Sequence, residues 1–74
     1  MTSRSRQFVV CVNNEGYPAS LERRKIYVSL RDPTAEERGL VRVVDESGED
    51  YLYPAAFFRP IALPRSVTKA ILAA

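Results

Sequence analysis

Five strand-length segments, each closed off by turn-forming residues, constrain this chain more than any other feature. Residues 8–12 (Phe-Val-Val-Cys-Val), 25–30 (Lys-Ile-Tyr-Val-Ser-Leu), 40–45 (Leu-Val-Arg-Val-Val-Asp), 50–53 (Asp-Tyr-Leu-Tyr) and 58–61 (Phe-Arg-Pro-Ile) are rich in β-branched and aromatic side chains. Between them lie Asn13-Asn14-Glu15-Gly16, Asp32-Pro33, Gly39, Ser47-Gly48 and Pro54, the residue types that end strands and make turns. Segments this short and this regularly interrupted predict a small, mostly β domain.

The chain of 74 residues has room for one core only. An apolar fraction of 46% with 27% charged residues is that of a globular protein and argues against disorder. A net charge of +2 selects no class of partner. No apolar run is long enough to span a bilayer, and no secretory core follows the basic residues 4 and 6, so a cytoplasmic location away from membranes is expected. The expected organisation is a flexible segment over residues 1–6, a β domain over 7–62 and a short helix over 63–74.

Within the second segment the alternation assigns Ile26, Val28 and Leu30 to the core and Lys25, Tyr27 and Ser29 to the outside. The intervening residues 17–24 read as a long ordered loop anchored by Leu21. Residues 32–39 carry a capping-box spacing at Thr34 and Glu37 and a stop at Gly39, which predicts a single helical turn. A two-residue Ser47-Gly48 turn sets Val43 opposite Leu52, Val44 opposite Tyr51 and Arg42 opposite Tyr53. Val41, Val43 and Leu52 then face the core, whereas Arg42 and Tyr53 share the other face. A slip of one residue would put Asp50 opposite Val44 and mix the faces. Pro54 to Phe57 suits a 3₁₀ turn, and Val67, Ala70 and Ile71 form an apolar stripe on a short C-terminal helix.

The order strand, long loop, strand, short loop, hairpin, 3₁₀ turn, strand is the chain order of SH3-like barrels. Leu21 followed by Lys25-Ile26-Tyr27-Val28, and the run from Gly48 to Phe58, resemble the second strand and the distal hairpin of that fold. At a finer level, Asp45-Glu46-Ser47-Gly48-Glu49-Asp50-Tyr51-Leu52-Tyr53-Pro54 resembles a motif of a family of small bacterial proteins of unassigned function. The resemblance implies a five-stranded SH3-like barrel with one 3₁₀ turn and a short C-terminal helix. It implies no activity, because function belongs to sites rather than folds. With no Trp, no Ala-Leu-Tyr-Asp-Tyr run, and Phe57 at the place of a tyrosine hydroxyl, the sequence departs from the peptide-binding SH3 pattern. Polyproline recognition is therefore not expected.

Three sets of residues offer chemistry. Tyr27, Tyr51 and Tyr53, with Arg42, Phe57 and the neighbouring Tyr17, suggest a rigid aromatic binding face. The plainer reading is that the rings cover the barrel and pack under the C-terminal helix. Arg23, Arg24 and Lys25 suggest a phosphate-binding patch, against the plainer reading of a solvated charged face. Asp45, Glu46, Glu49 and Asp50 crowd one hairpin, with Asp45 facing Asp50 and Glu46 facing Glu49 in the two-residue register. Their spacing lacks the ligand ladder of a calcium loop. Lone Cys11 lies in an apolar strand, and the chain has no His to serve it as a base, so it reads as a core residue. No cofactor, metal or catalytic residue is expected. The leading expectation is a non-catalytic protein or peptide interaction module, and the alternative is a nucleic-acid-binding accessory protein.

Overall fold

The computed structural model describes residues 6–73. Its strands are β1 (Arg6–Cys11), β2 (Ile26–Leu30), β3 (Leu40–Val44), β4 (Asp50–Pro54) and β5 (Phe58–Ile61). They form one antiparallel sheet in the order β4-β3-β2-β1-β5, with β4 and β5 at its two edges. A five-residue helix α1 (Pro33–Glu37) joins β2 to β3, a 3₁₀ turn (Ala55–Phe57) joins β4 to β5, and α2 (Arg65–Ala73) ends the described chain. No helix among the described residues is long and apolar enough to cross a membrane. Residues 1–5 of the expected flexible segment, and Ala74 of the expected helix, lie outside the described residues. Arg6 does not belong to that segment, because it pairs with Leu30 in the β1–β2 ladder.

Turn chemistry explains most of the boundaries. The helix α1 begins at Asp32, whose Oδ1 accepts from the Ala35 amide while Glu36 Oε2 accepts from the Asp32 amide. This reciprocal cap replaces the expected Thr34–Glu37 pair and uses Pro33 at the first helical position. Gly39, at φ +74, reverses the chain directly after the helix.

The hairpin between β3 and β4 corrects the expected register by one residue. Val44 lies opposite Asp50, Val43 opposite Tyr51, Arg42 opposite Leu52 and Val41 opposite Tyr53. The turn has three residues instead of two: the Gly48 amide donates to the Asp45 carbonyl, and the Asp45 amide to the Glu49 carbonyl. Gly48 takes φ +85, the left-handed residue that a type I turn with a bulge requires. Asp45 fixes this geometry, because its Oδ1 accepts from both the amide and the hydroxyl of Ser47. Asp45 is consequently opposite Glu49 instead of Asp50, and Asp50 lies opposite Val44.

The shifted register turns β4 over, so that Tyr53 is buried at 3% exposure and Leu52 is 40% exposed. On β2 the faces are likewise reversed: Tyr27 and Ser29 are buried, Val28 and Leu30 are half-buried, and Ile26 is exposed. The core joins Val9, Cys11, Leu21, Tyr27, Val43, Tyr53 and Phe58, with Val41 and Phe57 packed against it. Leu21, fully buried, seals one end of this inner face, and the loop that carries it is anchored as expected. The opposite face carries Phe8, Val28, Val44, Leu52 and Ile61, aligned through the ladders and their registers.

Candidate functional site

Tyr27 and Tyr53 are buried because their hydroxyls find partners on other elements of the fold. Tyr27 donates to Glu46 Oε2 at 2.6 Å and accepts from the Glu22 amide at 2.8 Å. Burial, and then the Glu46 carboxylate, push its hydroxyl well above the ordinary tyrosine range. Tyr53 donates to Asp45 Oδ2 at 2.5 Å. A polar tip that is satisfied in this way lets the whole ring serve as core.

Around Tyr53 the rings form an edge-to-face chain. Tyr17 meets Tyr53 with centroids 4.9 Å apart and Phe57 at 6.2 Å, and Tyr53 meets Phe58 at 6.2 Å. Contacts of this geometry add about 0.5–1.5 kcal/mol each beyond area burial. Tyr17 belongs to the β1–β2 loop, so this chain of rings fixes that loop over the hairpin. The Glu46 amide donates to the Ser20 carbonyl and tightens the same junction.

Of the expected aromatic face, Tyr51, at 49%, and Tyr17, at 39%, are exposed, and the Tyr51 hydroxyl donates to Glu49 Oε2. Tyr27 and Tyr53 are core residues, and Phe57 is half-buried against them. Arg42 lies on the opposite face of the sheet, since it pairs with Leu52 while Val41 pairs with Tyr53. Its guanidinium bridges Asp32 at 3.0 Å and Asp50 at 2.9 Å, and those bonds hold it firmly protonated. The rings sit under the β1–β2 loop, with Tyr17 against Tyr53, and are not stacked in one outward plane.

The basic run is divided in the same way. Lys25 pairs with Glu46 at 2.5 Å and with Glu22 at 3.4 Å, and sits 5.7 Å from the Tyr27 ring centroid. Arg24 adopts φ +68 and donates its amide to the Cys11 carbonyl, so its backbone serves the turn into β2. Arg23 and Arg24 remain as exposed cations beside a Lys25 already neutralised by carboxylates.

What the structure adds is a depression of about 380 Å³ lined by Tyr17, Ser20, Asp45, Ser47, Tyr51, Leu52 and Tyr53. Tyr17, 39% exposed, and Tyr51 present ring surface there. Asp45 is 7% exposed. Burial opposes its charge, but donors from the Ser47 hydroxyl, the Tyr53 hydroxyl and the Ser47 amide outweigh it and hold the carboxyl below the ordinary range. Among the described residues no cationic side chain pairs with Asp45 or Glu49, because Lys25 is engaged by Glu46 and Glu22 and Arg42 by Asp32 and Asp50. The depression therefore carries uncompensated negative charge beside exposed aromatic rings. Sequence pattern pointed to Tyr51 and the acidic hairpin, whereas the contribution of Tyr17 depends on a loop fold with no periodic signal.

No cluster of His, Cys, Asp and Glu among the described residues is arranged to hold a metal ion. Comparison of the chain with protein-family models, with curated proteins and with solved structures finds no match.

Proposed function

We propose that the chain is an SH3-like barrel acting as a non-catalytic interaction module, and that it binds a basic segment of a protein partner at the Tyr17–Tyr51–Tyr53 depression. The strand order β4-β3-β2-β1-β5 and the 3₁₀ turn between the edge strands support the barrel reading. One observation carries the functional reading: Asp45, which pairs with no cation among the described residues, lines the same depression as the exposed rings of Tyr17 and Tyr51. Aromatic faces and a nearby carboxylate both attract a guanidinium or ammonium group, and the ring surface favours a cation that gives up water readily. The same charge disfavours phosphate, which weighs against the nucleic-acid alternative on Arg23, Arg24 and Lys25.

Amide-resolved NMR titration tests this reading with an Arg/Lys-rich decapeptide, an acidic decapeptide and a single-stranded oligonucleotide, each at low and moderate salt. The expected result is saturable shifts at Tyr17, Ser47 and Tyr51 with the basic peptide only, lost in Tyr51→Ser. Shifts produced instead by the oligonucleotide, centred on residues 23–25 and weakening steeply with salt, would establish the alternative.

A further inference from the structure

The two edges of the sheet differ in what their backbones offer. In an antiparallel ladder the N–H and C=O groups of successive residues point alternately toward the neighbouring strand and away from it. The amides of Asp45 and Ala55 donate to the carbonyls of Glu49 and Gly39, and with Val43 opposite Tyr51 and Val41 opposite Tyr53 this turns the backbone groups of Tyr51 and Tyr53 toward β3. Those of Asp50 and Leu52 therefore point away from the sheet, and no turn or loop among the described residues supplies them with a backbone partner. At the other edge the Val12 amide donates to the Phe57 carbonyl, and the same alternation points the backbone of Phe58 and Pro60 outward. Pro60 has no N–H, and the Phe58 amide already donates to the Ala55 carbonyl. The β5 edge thus has no donor left for another strand, a common way of blocking edge pairing, whereas β4 keeps the donors of Asp50 and Leu52.

We infer that the partner's basic segment binds by adding to β4 as a further antiparallel strand, and that it carries cationic residues alternating with β-branched apolar ones. The inference rests on the reading of the tyrosine depression as the docking site and adds how the segment is held there. Tyr51, Leu52 and Tyr53 of β4 all line the depression, so it runs along this open edge. Side chains of an added strand alternate between the two faces in step with those of β4. A residue opposite Tyr51 lies on the inner face, beside the exposed Tyr51 ring and near the carboxylates of Asp45 and Glu49, which pair with no cation among the described residues. That position suits Arg or Lys. A residue opposite Leu52 lies on the other face, against a leucine that is 40% exposed. That position suits Val or Ile. Main-chain bonds to Leu52 supply the register, and the alternating side chains supply the selectivity. A second copy of the chain fits this edge less well, because β4 brings Asp50, with Glu49 just before it, and no cationic side chain.

The probe is a capped peptide of alternating Arg and Val, titrated into the full chain by NMR with amide hydrogen exchange as a second readout. In antiparallel pairing a Val stands opposite Leu52 and exchanges both backbone bonds with it, so the Val amides face β4 and the Arg amides face solvent. The expected result is saturable binding that slows exchange of the Leu52 amide by about tenfold or more. N-methylation of the Val amides should abolish binding, and N-methylation of the Arg amides should leave it. A peptide of the same composition with Arg and Val in two blocks should bind about tenfold more weakly, and so should the alternating peptide to Leu52→Pro, which removes an outward donor and leaves the bonds to β3 in place. If that variant fails to fold, the methylated peptides still decide on the parent chain. Equal binding of the two methylated peptides, or binding without slower exchange at Leu52, would overturn the added strand and leave the depression reading standing. Failure of every basic peptide to bind would overturn both. Protection of Leu52 that grows with protein concentration in the absence of peptide would give the edge to a second copy and overturn the inference.

Discussion

The Tyr53 hydroxyl donates a 2.5 Å hydrogen bond to Asp45 Oδ2, and both residues are buried, at 3% and 7% exposure. Eight residues apart, they stand on the two arms of one hairpin. Their bond, together with the Ser47 donors on Asp45 Oδ1, couples the shape of the turn to the position of a core ring. A two-residue turn would break this coupling, since it would carry Tyr53 to the other face.

Tyr53→Phe tests how much that coupling contributes. The substitution keeps the ring and its contacts with Tyr17 and Phe58 but leaves the buried Asp45 carboxylate short of a donor. A loss of about 1–3 kcal/mol in urea-unfolding stability is expected. An unchanged midpoint would show that the hydroxyl bond adds nothing net to stability.

Acid should destabilise the fold through Asp45 and Glu46. The Ser47 and Tyr53 donors hold Asp45 low against the effect of its burial, and Lys25 and then Tyr27 hold Glu46 low. Both groups thus resist protonation more in the folded than in the unfolded chain, where carboxyls titrate near about 4. Below that pH the unfolded chain binds more protons, so stability is fully present above about pH 5 and falls with pH through the lowered folded values. Unfolding midpoints measured from pH 7 to pH 3 should show this decline, and Asp45→Asn should flatten it. A profile as steep in Asp45→Asn as in the parent would assign the decline to other carboxyls.

Leu21 and Leu52 should respond in opposite ways to truncation. Leu21 is fully buried in the core, whereas Leu52 is 40% exposed on the opposite face. Leu21→Ala is expected to cost about 2–5 kcal/mol, enough to unfold much of a domain this small, and Leu52→Ala less than about 1 kcal/mol. Circular dichroism melts of the two variants decide between this register and the two-residue turn, which would make Leu52 the costly position.

The element pattern was legible because Asn13, Gly16, Gly39, Gly48 and Pro54 stand where the strands stop, and turn chemistry is local. The faces of β2 and β4 were not legible from hydropathy. Alternation ranks Ile26 above Tyr27 and Leu52 above Tyr53 as core residues, yet tyrosine can be buried whole once its hydroxyl is satisfied. The satisfying groups, Glu46 for Tyr27 and Asp45 for Tyr53, lie 19 and 8 residues away. The hairpin register did carry a local signal in Asp45-Glu46-Ser47-Gly48, where an aspartate bonding two residues on and a glycine in the left-handed region specify the bulged turn. A cavity of about 610 Å³, lined by residues that include Val9, Ser29, Val41 and Phe58, left no signal at all, being assembled from strands β1, β2, β3 and β5 with α1 and the 3₁₀ turn.

Cys11 should behave as a core thiol. It is fully buried, burial raises its pKa above the ordinary thiol value, and its Sγ donates to the Asn13 carbonyl at 3.3 Å. A thiol reagent needs both access and the thiolate, and the native fold withholds both. Labelling of the native protein with a disulfide reagent should therefore be slow and should accelerate with denaturant as the domain opens. Cys11 pairs with Phe58 at the end of the β1–β5 ladder and its side chain packs in the core with Leu21, Val43 and Tyr53, so the opening that exposes it must break that core. The labelling rate should accordingly track global stability, rising in Leu21→Ala and remaining near the parental rate in Leu52→Ala. Rapid labelling of the parent under native conditions would mean that the core around Cys11 opens without global unfolding.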